Sequence, residues 1–128
     1  MGEILRDKHL VPDLILCSTA ARAVATAQAA IEASGYEGDV GLSRELYLAA
    51  PPTYVAVLQR QPDDAARVLV IGHNPGLEEL LELLTGRAEP LPTAALAALE
   101  LPIEHWNELV PTTQGRLTQL WRPKELED

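Results

Sequence analysis

Residues 68–84 read VLVIGHNPGLEELLELL, and the handover inside this stretch decides the fold. RVLVIG (67–72) is a short apolar run that predicts a strand buried on both faces. PGLEELLELLTG (75–86) carries leucines at helical spacing with glutamates between them, which predicts an amphipathic helix with Gly86 just past its end. Gly72 allows close backbone approach and Pro75 suits the first helical position, so turn geometry alone accounts for the Gly-x-Asn-Pro break. It does not account for His73, an imidazole at the mouth of a strand. A lone histidine is more often structural than functional, and both readings stay open at this point.

The same handover occurs upstream. DLILCS (13–18) is a second continuous apolar run, followed by alanine-rich TAARAVATAQAAIEAS (19–34), whose composition favours helix and which Gly35 closes. Ser18 and Thr19 are the N-cap candidates of that helix. Residues 2–10 predict a helix that Pro12 ends, residues 40–48 a short strand, and PPTYVAVLQRQ (51–61) a helix with proline at its start. AALAALEL (94–101) reads as a strand despite its alanines, and GRLTQLWRP (115–123) as an edge strand stopped by Pro123. Strands alternating with helices imply an α/β sheet with helices on its faces. No repeat, low-complexity tract or domain linker interrupts the chain, so residues 1–128 read as a single domain.

At 128 residues, 47% of them hydrophobic, the chain is large enough for a real core. No apolar run approaches the roughly 20 residues of a membrane span, and the N-terminus lacks a secretory signal pattern. A single cysteine, Cys17, excludes an internal disulfide and a Cys-based metal site; within LILCS it reads as a small buried apolar residue. A cytoplasmic setting fits. A formal net charge of −9 with scattered Lys and Arg argues against nucleic-acid binding. It does not exclude a phosphate ligand, because one or two arginines dominate the field at short range.

Ligands of such sheets collect beyond the carboxyl ends of the strands, where helix N-termini point. Arg22 falls in the first turn of the helix after DLILCS, a place the helix macrodipole makes unfavourable for a cation. A bound anion reverses that sign: free N–H groups and a forked guanidinium suit phosphate oxygens. The plain alternative is an Arg22 that reaches solvent or pairs with Glu45. Arg22 and His73 at equivalent junctions strengthen each other, since phosphoryl transfer needs positive groups for the oxygens and a donor for charge developing in flight. Glu45 in SRELYLA is a candidate general acid, with a solvated or ion-paired role as the alternative. His9 and His105 lack this context and read as surface residues. No P-loop, metal-spaced cluster or serine-centred elbow is present, so no metal or other cofactor is implied.

CSTAARAVATA resembles the S-P-x-x-R-A-x-x-T-A segment of the histidine phosphatase superfamily, with Ser18, Arg22, Ala23, Thr26 and Ala27 matching. VLVIGHNPGLEELLELLTG resembles its second signature, in the form typical of the small SixA-type phosphohistidine phosphatases. ELYLA (45–49), LPTAALAALEL (91–101) and RPKEL (122–126) are similar to the same branch. Thr19 replaces the usual proline and Ala25 a usual polar residue. The resemblance implies a phosphoglycerate-mutase-like fold, three-layer α/β/α around a mostly parallel central sheet. It also implies metal-independent chemistry through a phosphohistidine intermediate, with Arg22 binding phosphoryl oxygens (Ser18 a lesser candidate) and His73 supporting the transferring group.

The family's nucleophilic histidine lies in an Arg-His-Gly/Ala motif after a first strand. No RHG or RHA occurs in these residues. The expectation is therefore a chain that begins inside the family's first helix and lacks that central strand. Upstream residues, a strand from a partner copy (a homo-oligomer or strand exchange), or closure of the flanking strands would fill the gap. Three functions follow: a SixA-like phosphatase acting on phosphohistidine in a signalling protein but inactive without its nucleophile; a non-catalytic remnant that binds phosphate or a phosphorylated partner; and a phosphatase for small phosphorylated substrates.

Overall fold

The computed structural model describes residues 2–92 and 95–122. Its elements are α1 (Gly2–Asp7), β1 (Leu14–Ser18), α2 (Ala21–Ser34), β2 (Val40–Ser43), a 3-10 turn at Arg44–Leu46, α3 (Pro51–Gln59), β3 (Val68–Ile71), α4 (Gly76–Thr85), β4 (Leu96–Glu100), a second 3-10 turn at Trp106–Glu108, and β5 (Arg116–Trp121). The fold is mixed α/β with a parallel central sheet. Two compact units divide the chain: Met1–Ala49 with Pro62–His73, and Ala50–Gln61 with Asn74–Asp128. Pro123 and the RPKEL residues 123–126 lie outside the described residues, as does residue 94, where the fourth strand was expected to begin.

The first unit holds a three-stranded sheet in the order β2-β1-β3, all parallel. β1 is central, so its apolar run is enclosed: Ile15 is 1% exposed and Cys17 0%. Ala23 and Ala27 of α2 pack with Ile15, Cys17, Tyr36 and Ile71. Alanines four apart lie on one helical face, and their small size lets the helix sit close to the sheet. Gly35 and Gly86 end α2 and α4 in the left-handed conformation, as their positions in the sequence predict.

Several details depart from the sequence expectation: β2 ends at Ser43, with a 3-10 turn over Arg44–Leu46 where strand was expected to run to residue 48, and α3 ends at Gln59, not residue 61. The first helix stops at Asp7, not residue 10, because His9 adopts φ 56° and Leu10 N–H reaches back to the Leu5 carbonyl at 2.7 Å, a Schellman closure well before Pro12. The second helix starts at Ala21, with Ala20 and not Ser18 or Thr19 at the N-cap position; Ser18 Oγ accepts the Ala20 N–H at 3.3 Å, ahead of the first helical turn, and also meets His73 Nε2. β3 is less buried than its composition suggests; of its four residues only Ile71 is fully buried. Among the described residues β3 pairs with β1 alone, which leaves its other edge without a ladder and explains the exposure. Among the described residues β4 likewise pairs with β5 alone.

In the second unit β4 and β5 form an antiparallel pair with an irregularity between Ala98 and Leu99. α3 packs against α4 and the Trp106–Glu108 turn, where the Gln59 side chain donates to the Leu109 carbonyl at 2.6 Å. Pro75 takes the N-cap position of α4, one place earlier than expected, after a cis Asn74–Pro75 bond. A loop over residues 87–92 is tied down by several bonds: Asn74 Nδ2 donates to the Leu91 carbonyl, Leu91 N–H donates to Glu78, and Arg122 donates to the Pro90 carbonyl and to Glu89 at 3.0 Å. The open pocket of this unit is lined by the same residues.

Hydrogen bonds from Arg122 and Arg87 hold the Glu89 carboxyl below the ordinary glutamate range. A carboxylate depressed on folding stabilises the protein above its unfolded value, and that contribution disappears as pH falls through the folded value. Urea midpoints of wild type and Glu89→Gln are therefore expected to differ at neutral pH and to draw together as pH falls below the ordinary glutamate value of about 4.3. A difference that persists unchanged at low pH contradicts this assignment.

Candidate functional site

β1 and β3 run parallel as neighbours, with Cys17 opposite Ile71. Both strands therefore finish at the same end of the sheet, and this places Ser18, the last residue of β1, beside His73, two residues past β3. Their side chains meet, His73 Nε2 to Ser18 Oγ at 2.8 Å. Ser18 is 0% exposed, and its Oγ also accepts the Ala20 N–H at 3.3 Å. His73 is half-buried. Tyr47, directly after the first 3-10 turn and 55% exposed, sets its ring edge-on to the imidazole, with centroids 5.7 Å apart and planes at 67°.

Arg22 is the second residue of the fourteen-residue α2 and is exposed. The helix has neither a side-chain N-cap bond nor an acidic residue in its first turn. Its leading N–H groups thus lack the usual side-chain acceptor, and nothing acidic on the helix offsets its positive end. Glu45 sits in the Arg44–Leu46 turn and is exposed. His9 and His105 are exposed at the end of α1 and before the Trp106–Glu108 turn. Cys17 is structural: burial raises its thiol above the ordinary range, and it donates to the Ser18 carbonyl at 3.2 Å. Among the described residues no group of three or more His, Cys, Asp or Glu could hold a metal, and no helix is long and apolar enough to cross a membrane.

Sequence reasoning placed Ser18 and His73 at equivalent strand ends but missed their direct bond, since contact across 55 residues has no local signature. It also passed over Tyr47, although ELYLA was singled out. An aromatic residue following a strand beside two candidate site residues was the available signal.

No family model matches the chain. Solved structures do. A protein from Agrobacterium tumefaciens assigned as the phosphohistidine phosphatase SixA is 31% identical, with a TM-score of 0.75 over 95% of this chain and 75% of that one. A Nakamurella multipartitia protein with the same assignment is 28% identical, with a TM-score of 0.74 over 95% and 77%. The protein histidine phosphatase SixA complexed with tungstate shares the fold at 23% identity, with a TM-score of 0.81 over 98% and 78%. The Mycobacterium tuberculosis protein Rv1276c, whose function is uncharacterised, is 31% identical over 121 residues, 86% of this chain and 73% of its own. The architecture is that of the phosphoglycerate-mutase-like phosphatases. Within them, this chain belongs to the SixA-type branch of the histidine phosphatase superfamily.

Proposed function

We propose that this chain supplies the phosphoryl-binding side of a metal-independent phosphohistidine phosphatase. Arg22 and the leading N–H groups of α2 hold the phosphoryl oxygens, and His73 donates to the group in transfer. Glu45 is the candidate general acid. The substrate is phosphohistidine on a signalling protein in the cytoplasm. The observation that carries this reading is the His73–Ser18 contact beside the helix bearing Arg22. The likeness to SixA proteins supports it, and tungstate, the oxyanion in one of those complexes, is a tetrahedral stand-in for phosphate.

No Arg-His-Gly or Arg-His-Ala triplet occurs in the 128 residues. Arginine and histidine side chains that bind oxygens do not replace a nucleophile. The 128-residue chain is therefore expected to bind phosphate, vanadate or tungstate while releasing phosphate from a phosphohistidine protein no faster than the uncatalysed rate. Turnover above background by these residues alone contradicts the assignment. An upstream in-frame strand ending in RHG or RHA, if joined to the chain, is expected to restore hydrolysis. The missing triplet equally favours a second reading, a binding protein for phosphorylated partners, which is the one supported if such an extension leaves the chain inert.

His73→Ala is expected to weaken tungstate binding by about 3- to 10-fold, the scale of one hydrogen bond of roughly 1 kcal/mol. Calorimetric titration measures it. A loss as large as that of Arg22→Ala reverses the two roles.

A further inference from the structure

We infer that Ser18 is a positioning residue that fixes the tautomer of His73, placing the neutral ring's proton on Nδ1 so that this nitrogen is a donor. The inference follows from counting protons at one buried oxygen. Ser18 Oγ has one proton and two lone pairs. One lone pair accepts the Ala20 N–H at 3.3 Å. The remaining contact of the hydroxyl among the described residues is His73 Nε2 at 2.8 Å. At 0% exposure the hydroxyl proton has no water to turn to, and a buried donor left unmade costs about 1–3 kcal/mol. The O–H therefore donates to Nε2. A nitrogen that accepts is unprotonated, so the ring carries its proton on Nδ1.

The opposite tautomer has Nε2–H donating to Oγ and strands the serine proton in a closed environment. Tyr47 stands edge-on to the same ring, with centroids 5.7 Å apart. The chemical consequence concerns phosphoryl oxygens, which only accept. A donor Nδ1–H suits them; an Nδ1 lone pair repels them. Ser18 thus acts through His73, not by touching phosphate. This role goes beyond the proposed phosphatase reading and holds whether or not the chain turns over phosphohistidine.

The test is nitrogen NMR of the ring of His73 in the unliganded 128-residue chain, titrated upward until the histidine signals stop moving. The expected result is a protonated, pyrrole-type Nδ1 and an unprotonated, pyridine-type Nε2. In Ser18→Ala the Nε2–H form is expected to appear at the expense of the other. A pyrrole-type Nε2 in the wild-type chain overturns the inference, and so does a folded Ser18→Ala variant with unchanged ring nitrogens. A slowly exchanging Ser18 hydroxyl proton correlated with Nε2 is expected in the wild type and needs no variant; its absence also counts against the assignment. Loss of tungstate binding without any change in tautomer makes Ser18 a direct phosphate ligand and rejects the positioning role.

Discussion

Arg22→Ala is expected to weaken tungstate and phosphate binding by about 10- to 100-fold, while the urea midpoint stays close to wild type. The magnitude is that of charge-assisted hydrogen bonds, roughly 1.5–3 kcal/mol, with tenfold for each 1.4 kcal/mol. Stability is expected to hold because Arg22 is exposed at the start of α2, where a cation gains nothing from the helix dipole. Alanine at that position even removes a small local repulsion. The two readouts separate the roles: a purely structural arginine lowers the midpoint and leaves affinity alone. Arg22→Lys is expected to recover only part of the affinity, since a point charge cannot make the forked, two-bond contact of a guanidinium. Binding that survives in Arg22→Ala ends the anion-site assignment. The chain's net charge of −9 sharpens the case, because general electrostatic attraction cannot hold an oxyanion here and a local cation must.

The strands and helices of the first unit were legible because their signals are strong and local. LILCS is apolar throughout and becomes the enclosed central strand; alanines four apart become the face of α2 on the sheet. Gly35 and Gly86 stop helices where the chain must turn left-handed. β3 was legible as a strand but not as an edge, since burial depends on what pairs with it and not on its own composition. Some helix ends were misplaced: α1 stops three residues and α3 two residues earlier than expected, and α2 starts two residues later. His9 ends α1 by adopting a left-handed backbone that favours glycine, which sequence composition does not announce. Ser18 looked like a cap because serine caps helices, whereas in the fold its hydroxyl is drawn to an imidazole 55 residues away.

The site itself divides in the same way. The strand-to-helix junctions carrying Arg22 and His73 could be paired from sequence, because parallel strands deliver their carboxyl ends to one edge. The bond between Ser18 and His73 needs the register of β1 on β3, Cys17 opposite Ile71, which no single stretch encodes. Tyr47 reaches His73 because the 3-10 turn at Arg44–Leu46 ends just before it, and such a turn leaves little trace in composition. Contacts that hold such a ring in place are long-range by nature, so they are the last features a linear reading recovers.

Ile15→Ala is expected to cost the first unit about 3 kcal/mol, within the roughly 2–5 kcal/mol typical of truncating a fully buried isoleucine. Ile15 is 1% exposed on the central strand and packs with Cys17, Ala23, Ala27, Tyr36 and Ile71. Its neighbours are poorly able to close the resulting void: alanines have no reach, and β1 is pinned by ladders on both sides, Ile15 opposite Val40 and opposite Leu69. The penalty therefore lies well above the simple loss of apolar area. At a urea dependence of about 1–3 kcal/mol per M, the midpoint should fall by about 1–3 M. Leu42→Ala on β2, where the side chain is 60% exposed, is the contrasting variant and should change stability by no more than about 0.5 kcal/mol. The pair also links the core to the site. Ser18 ends the same strand three residues on, so partial loosening of β1 in Ile15→Ala should weaken tungstate binding together with stability, whereas Leu42→Ala should leave both unchanged. Equal midpoint shifts in the two variants would mean that β1 is not the central strand of a packed core.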